Sequence, residues 1–157
     1  MREGYDVAQI CLNGHVANSY TVNRPQFSKK FCDKCGAETI ASCLQCNSPI
    51  RGGYWGGGLS GYTVPAFCIN CGQPFPWTQA KLQAAHELAE ELDTISEQDR
   101  AMLQKSIDEL IKDTPSTSVA ATRFKKIMVK AGQGTASMFR EILVDVLSET
   151  ARKVLFP

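Results

Sequence analysis

Seven cysteines, all within the first 71 of 157 residues, constrain this chain more than any other feature. An odd number of thiols cannot all pair as disulfides within one chain. The N-terminal sequence MREGYDVAQIC lacks the apolar core of a signal peptide, so we expect a cytoplasmic location in which thiols stay reduced. Clustered, reduced cysteines predict metal binding.

The spacing of the cysteines predicts two metal ions. Six of them form three C-x-x-C pairs, and the seventh, Cys11, is followed four residues later by His15. Four pairs supply eight donors, and tetrahedral zinc takes four. Soft thiolate donors favour zinc, with iron a weaker option. The predicted ligands are Cys11, His15, Cys32, Cys35, Cys43, Cys46, Cys68 and Cys71.

The residue after each pair suggests how the pairs combine. Glycine, which suits a left-handed backbone, follows the second and fourth pairs as Gly36 and Gly72, whereas Val16 and Asn47 follow the others. This alternation predicts two consecutive sites, the first from the pairs at 11–15 and 32–35, the second from those at 43–46 and 68–71. An interleaved cross-brace, as in RING domains, is the alternative. The seven residues 36–42 are long for that pattern, which favours consecutive sites.

These motifs resemble tandem (double) zinc ribbons over residues 5–76. The matching segments are Cys11-Leu12-Asn13-Gly14-His15, Cys32-Asp33-Lys34-Cys35-Gly36, Cys43-Leu44-Gln45-Cys46 and Cys68-Ile69-Asn70-Cys71-Gly72. The resemblance implies a small metal-stabilised β fold of two consecutive ribbons. The whole chain is also similar to an uncharacterised bacterial family with an N-terminal double ribbon and a helical tail, a resemblance that implies no particular activity.

The chain has two regions that differ in composition. Residues 1–76 hold 10 of the 12 glycines, and a region this short buries too little apolar surface without a metal. Within it, 17–22 and 38–42 are predicted strands. Residues 77–157 carry apolar residues at three- and four-residue spacing, which predicts about four amphipathic helices and an all-α region. Ser96 is a predicted N-cap, Gly132 and Gly134 are predicted to end the third helix, and 135–157 is the predicted last helix.

Charge is sorted along the helical region. Residues 81–113 contain 4 basic and 9 acidic residues, whereas residues 123–157 contain 7 basic and 3 acidic ones. The pattern favours attraction within a helical bundle, and docking of a charged partner or membrane surface is the alternative. For the last helix, core packing or self-association is favoured over membrane-surface binding. No apolar run reaches the roughly 18 residues of a transmembrane segment.

Catalysis is not expected. Four protein ligands close each predicted zinc site, and a catalytic zinc keeps an open position for water. The first site would have an open coordination position only if His15 were not a ligand. The second histidine, His86, and the carboxylates Glu90, Glu91 and Asp93 are expected on a solvated helix face. No phosphate-binding G-x-x-x-x-G-K-[ST] motif is present.

Two segments suggest binding. Residues 52–62 are a predicted loop with six glycines and three aromatic residues, which either cover the second zinc site or bind a peptide or stacked bases. Lys29, Lys30 and Lys34 lie beside Phe27 and Phe31. However, residues 1–77 hold only six basic residues against four acidic ones, so two ions bound by seven thiolates leave this region slightly acidic.

The sequence therefore predicts a non-enzymatic, zinc-binding adaptor with two structural zinc ions per chain. A protein partner, or self-association through the helical region, is the expected interaction. A nucleic-acid-binding zinc-ribbon regulator is the first alternative. A zinc enzyme that uses the site containing His15 is the second.

Overall fold

The computed structural model describes residues 4–55 and 61–157. The chain divides into two compact units, of which the first ends at Gln79 and the second comprises Ala80–Pro157. Short strands and two cysteine-rich clusters make up the first unit, and helices make up the second. The predicted fold class, a small β region followed by an all-α region, is confirmed.

Five short strands form two antiparallel sheets in the described part of the first unit. They are β1 (Gly4–Val7), β2 (Gln9–Cys11), β3 (Val16–Asn18), β4 (Thr39–Ile40) and β5 (Arg51–Trp55). β1 pairs with β5, and β2 lies between β3 and β4. The predicted strand 17–22 is cut short because the Asn18 side chain accepts a hydrogen bond from the Tyr20 N–H (2.9 Å) and donates one to the Arg24 carbonyl (2.8 Å). These bonds turn the chain away from the sheet.

The hydrophobic core of the first unit is small. It contains five apolar residues and two of the cysteines: Ala8, Ile10, Cys43, Ile50, Cys68, Phe75 and Trp77. The Phe75 and Trp77 rings stack with centroids 4.7 Å apart, and the Trp77 indole N–H donates to the Pro65 carbonyl at 2.9 Å. Since α1 begins at Pro76, its first turn belongs to the core of the first unit.

Gly52 and Gly53 lie in β5, although the glycine-rich sequence predicts a loop there. A Cβ atom on Gly52 would overlap the backbone of Val7 and Ser19, and one on Gly53 would overlap the Tyr20 ring. These two glycines are therefore required for packing within the chain. Residues 56–60 of the predicted loop lie outside the described residues. Beyond them, Tyr62 packs against the core that contains the second cysteine cluster.

The helices are α1 (Pro76–Glu90), α2 (Glu97–Leu110), α3 (Thr117–Ala131), α4 (Gln133–Leu143) and α5 (Glu149–Leu155). The Ser96 prediction is confirmed, because its hydroxyl accepts a hydrogen bond from the Asp99 N–H at 3.1 Å. Gly132, at φ +101°, ends α3 as predicted, whereas Gly134, also predicted to end it, lies within α4. The prediction of one helix over 135–157 is wrong: this segment contains most of α4 and all of α5.

A missed N-cap explains the extra helix. The Ser148 hydroxyl accepts a hydrogen bond from the Ala151 N–H at 3.2 Å, and the Ser148 N–H donates to the Leu110 carbonyl at 3.0 Å. An N-cap residue has non-helical backbone angles, and Ser148 is extended, with φ −63° and ψ 161°. The chain is thus turned between α4 and α5.

The second unit buries a core of apolar side chains drawn from its helices, among them Leu103, Ile107, Leu110, Phe124 and Phe139. Lys130 of the basic segment pairs with Asp99 of the acidic segment at 2.9 Å, in agreement with the bundle interpretation of the charge pattern. A pair this exposed contributes about 0–1 kcal/mol. None of the helices in the described part of the chain is long and apolar enough to cross a membrane.

Candidate metal centres

The first four-donor cluster joins the end of β2 to a C-x-x-C turn. Cys11 is the last residue of β2, His15 follows the turn after it, and Cys32 and Cys35 come from the turn at 32–35. The His15 Nδ1 atom lies 3.5 Å from the Sγ atoms of both Cys11 and Cys32. The Cys11 and Cys35 Sγ atoms are 3.7 Å apart. His15 therefore occupies the position expected of a ligand.

The second cluster joins two C-x-x-C turns that are distant in sequence. The Sγ atoms of Cys43 and Cys71 lie 3.7 Å apart, as do those of Cys46 and Cys68. Cys43 and Cys68 are buried in the core of the first unit. The structure thus groups the eight predicted donors into two consecutive sets, as the sequence suggested, and not into a cross-brace.

The donor separations fit tetrahedral zinc. Zn–S bonds of about 2.3 Å and a Zn–N bond of about 2.0 Å at tetrahedral angles place two sulfurs about 3.8 Å apart, and a sulfur and a nitrogen about 3.5 Å apart. The separations described above are 3.7 Å and 3.5 Å. A disulfide would require about 2.05 Å. Seven thiols and one imidazole are donors that zinc prefers, so the residues present fit two zinc ions.

All three C-x-x-C turns have the same backbone geometry. The N–H of the residue after the second cysteine donates to the carbonyl of the first at 2.8 Å, from Gly36 to Cys32, Asn47 to Cys43 and Gly72 to Cys68. These three residues have φ of +75°, +63° and +76°. The distinction drawn from the sequence between turns with and without glycine is therefore wrong, because Asn47 adopts the left-handed conformation as well. Asparagine tolerates that conformation better than most residues.

Backbone amides surround the thiols. The N–H groups of His15, Lys34 and Gln45 point at the Sγ atoms of Cys11, Cys32 and Cys43, with separations of 3.3–3.4 Å. Such hydrogen bonds stabilise the charged thiolate over the neutral thiol.

Two asparagines outside the predicted ligand set also contact the thiols. The Asn13 side-chain amide donates to Cys35 Sγ at 3.3 Å, and that of Asn70 donates to Cys46 Sγ at 3.4 Å. Each asparagine lies inside one ligand pair and bonds to a cysteine of the other pair in its site. An asparagine between two ligands of one pair is the sequence signal that would have identified them.

Hydrogen bonding prepares Cys35 and Cys46 for metal binding. The bond from the Asn13 side chain, followed by one from the Ala37 backbone, lowers the pKa of the Cys35 thiol to about 6. Bonds from the Ser48 and Asn70 side chains likewise lower the pKa of Cys46 to about 6. Thiolates are the metal-binding form, so both side chains are available as ligands at neutral pH.

The other predicted polar residues lie apart from the two clusters. His86 Nε2 lies 2.7 Å from a carboxylate oxygen of Asp108, in a pair between α1 and α2. Glu90 accepts a hydrogen bond from Gln104, and Glu91 and Asp93 are exposed. Lys29 pairs with Asp33 at 3.0 Å. The positions of His86, Glu90, Glu91 and Asp93 agree with the expected solvated surface. Because Lys29 is paired with Asp33, the basic patch is smaller than the sequence suggests.

Comparison with known proteins gives one match. Residues 4–155 match the family described as "Uncharacterized protein conserved in bacteria (DUF2321)". No curated protein and no solved structure matches the chain.

Proposed function

The chain belongs to that bacterial family, and we propose that it is a zinc-binding, non-enzymatic adaptor whose N-terminal unit presents a surface to a protein partner. The observation that carries the proposal is the grouping of eight soft donors into two sets with the separations of tetrahedral zinc. The metal identity, the lack of catalysis and the adaptor role are all parts of the proposal.

A structural role for zinc is supported by the number of donors in each set. Four protein ligands complete the tetrahedral coordination of zinc, whereas catalytic sites have three and a water. The three or four thiolates of each set also neutralise the charge that would otherwise activate a water molecule. Bound zinc supplies folding free energy, on the order of 10 kcal/mol per structural site at neutral pH, which a small core cannot provide.

A groove in the first unit supports the adaptor role. Exposed apolar side chains line it, including Tyr5, Val22 and Ile69, the last of which is 71% exposed. The Arg51 guanidinium lies 4.3 Å from the centre of the Tyr5 ring, so one charged group is fixed beside the apolar surface. Aromatic residues and arginine are enriched where proteins bind one another. We expect a peptide segment of the partner to occupy this groove.

The metal content has a direct test. Elemental analysis of the purified full-length chain should give two zinc ions per chain, and no free thiols should react until a chelator is added. Iron in place of zinc, or disulfides between the cysteines, would contradict the first part of the proposal.

The groove has a test with a matched control. Ile69 and Leu44 both follow the first cysteine of a C-x-x-C turn in the second site and both are exposed, but only Ile69 lines the groove. We expect the metal-loaded chain to enrich a specific host protein in a pulldown, Ile69→Asp to lose it, and Leu44→Asp to keep it. Equal loss in both variants, or no specific protein with the unaltered chain, would contradict the adaptor role of the groove.

The helical unit provides a second surface for the predicted self-association. Val119 and Met138 are about half exposed, and apolar side chains of this kind are found where chains associate. Sedimentation of the metal-loaded chain at several concentrations tests this, since self-association raises the mass with concentration.

Nucleic-acid binding is the second candidate, because Phe27 and Phe31 are exposed side by side with basic residues. Their exposed fractions are 56% and 55%, and the Lys30 ammonium lies 5.7 Å from the centre of the Phe31 ring. Exposed aromatic rings beside cations can stack on bases. In this case, single-stranded RNA or DNA should bind at low salt. Phe31→Ala should weaken binding more than Phe27→Ala does, because Lys30 lies over the Phe31 ring. Undetectable binding at low salt would exclude it.

A further inference from the structure

A cavity of about 450 Å³ opens in the second unit between α3, α4 and the end of α5. Its floor consists of buried apolar side chains, including Phe124, Met128, Phe139 and Leu143. The Phe124 and Phe139 rings meet edge to face, with centroids 5.7 Å apart. A cavity of this volume, mostly apolar and bounded by packed side chains, has the size of a small-molecule site.

Among the described residues that line the cavity, only Lys125 and Arg140 carry a charged side chain, and both are exposed. Lys125 Nζ donates to the Val154 carbonyl at 3.0 Å, and the Arg140 guanidinium lies 4.5 Å from the centre of the Phe156 ring. Both heads are thereby held beside the lining. Within residues 4–55 and 61–157, neither forms an ion pair with a carboxylate. An apolar cavity bordered by two cations that no acid neutralises is complementary to a ligand with an apolar body and an anionic head.

We propose that this cavity binds an aliphatic carboxylate, with its hydrocarbon chain on the apolar floor and its carboxylate between Arg140 and Lys125. The inference concerns the second unit and does not depend on the metal sites or on the adaptor role.

The cavity volume sets the size of the ligand. An apolar protein cavity of about 150 Å³ holds benzene, with six carbons, so 450 Å³ corresponds to roughly 12–18 carbons. A partner helix about 10 Å across fills roughly 420 Å³ per turn, so the cavity would accept only about one turn of it. The volume therefore suits a single acyl chain better than a docked helix.

Binding of simple amphiphiles tests the proposal. Full-length, zinc-loaded protein is titrated in a calorimeter with dodecanoate, dodecan-1-ol or dodecyltrimethylammonium, each at concentrations where it is monomeric. We expect one dodecanoate per chain, with the alcohol at least about tenfold weaker because it lacks the charge-assisted hydrogen bonds. The cationic amphiphile should bind weakest. Equal affinity for all three probes would overturn the proposal.

Charge variants with matched controls locate the carboxylate. The double variant Lys125→Gln/Arg140→Gln should weaken dodecanoate binding about tenfold or more. Arg123→Gln/Lys126→Gln removes the same charge from exposed positions on α3 that do not line the cavity, and should change dodecanoate binding little. A similar effect of both pairs would show that net charge, not this site, attracts the ligand, and would overturn the proposal.

Three further variants test the cavity itself without disturbing the core. Val129 lines the mouth and is 84% exposed, so Val129→Glu should weaken dodecanoate binding while Val129→Lys strengthens it. Ala136 lines the cavity from α4, so Ala136→Phe should exclude the hydrocarbon chain of the ligand. Circular dichroism checks that this variant folds. Binding that persists in both Val129→Glu and a folded Ala136→Phe would overturn the proposal. Binding only to vesicles with anionic lipid, and not to monomeric dodecanoate, would replace it with a membrane-surface role.

Discussion

The side-chain amide of Asn70 donates a hydrogen bond to the Sγ of Cys46, 3.4 Å away in the opposite turn of the second site. Asn13 has the same relationship to Cys35 in the first site, at 3.3 Å. Each bond joins the two ligand pairs of its site through a group that is not itself a ligand. The asparagines thus orient the thiols and stabilise their charge.

Removal of this amide should weaken metal binding without removing a ligand. We expect Asn70→Ala to lower zinc affinity about 10- to 100-fold, the usual effect of losing a hydrogen bond to a ligand. Competition with a chromogenic chelator measures it. Gln45→Ala is the control, because Gln45 has the equivalent position in the turn at 43–46 and only its backbone N–H contacts a thiol in the described structure. Equal affinities of the two variants would contradict the role of Asn70.

Loss of metal should unfold the N-terminal unit. Trp77 packs in the core beside Cys43 and Cys68, so its fluorescence reports on that core. In a Trp55→Phe background, a chelator should shift Trp77 emission to that of a solvent-exposed indole, and zinc should restore it. Cys68→Ser should give the shifted spectrum at the outset. A variant that keeps two zinc ions and buried Trp77 would show that Cys68 is not a ligand.

Gly14 should tolerate no side chain. It has φ +94°, and an added Cβ would lie 3.1 Å from the Trp77 Cβ. We expect Gly14→Ala to destabilise the chain through backbone strain of about 1–2 kcal/mol, plus about 1–3 kcal/mol from the contact with Trp77. Urea unfolding at constant free zinc measures the free energy. Gly36→Ala, with φ +75° and no described atom within 4 Å of its Cβ, should show the strain alone. An equal loss of unfolding free energy in both variants would contradict a steric contact between residue 14 and Trp77.

The fifth helix should depend on its cap. Ser148→Ala removes the hydroxyl that accepts the Ala151 N–H, which should destabilise the chain by about 1 kcal/mol. Ser148→Asp should preserve stability, since aspartate caps equally well and its charge is favourable at a helix N-terminus. Thermal unfolding of the three proteins checks this. Equal destabilisation by both substitutions would indicate that the hydroxyl has a different role.

The eight donors could be predicted because metal coordination depends on residue type and spacing, which the sequence states directly. The pairing was also correct, although part of its reasoning was not. Asn47 was classed with Val16 as a turn without glycine, yet its φ of +63° matches that of the glycine turns. Asparagine is less strained than most residues in the left-handed conformation. The presence of glycine alone is therefore an incomplete signal for that conformation.

The missed features depend on contacts between distant residues. Gly52 and Gly53 resemble a loop in sequence, and only the approach of Ser19 and Tyr20 explains why a strand has glycine at both positions. The apolar pattern of the sequence continues without interruption across the break between α4 and α5. What divides the two helices is the Ser148 cap and its bond to Leu110, which a helical periodicity does not reveal.

Ile10 connects the two metal centres. It is fully buried in the core with Cys43 and Cys68 of the second site, and it directly precedes Cys11 of the first. Both residues pair with β4, which leads into the second site. Ordering either centre therefore orders part of the other, so the two ions should be taken up cooperatively. A chain with one ion would then be a minor species at every zinc concentration, and intermediate zinc levels would yield a mixture of empty and doubly loaded chains.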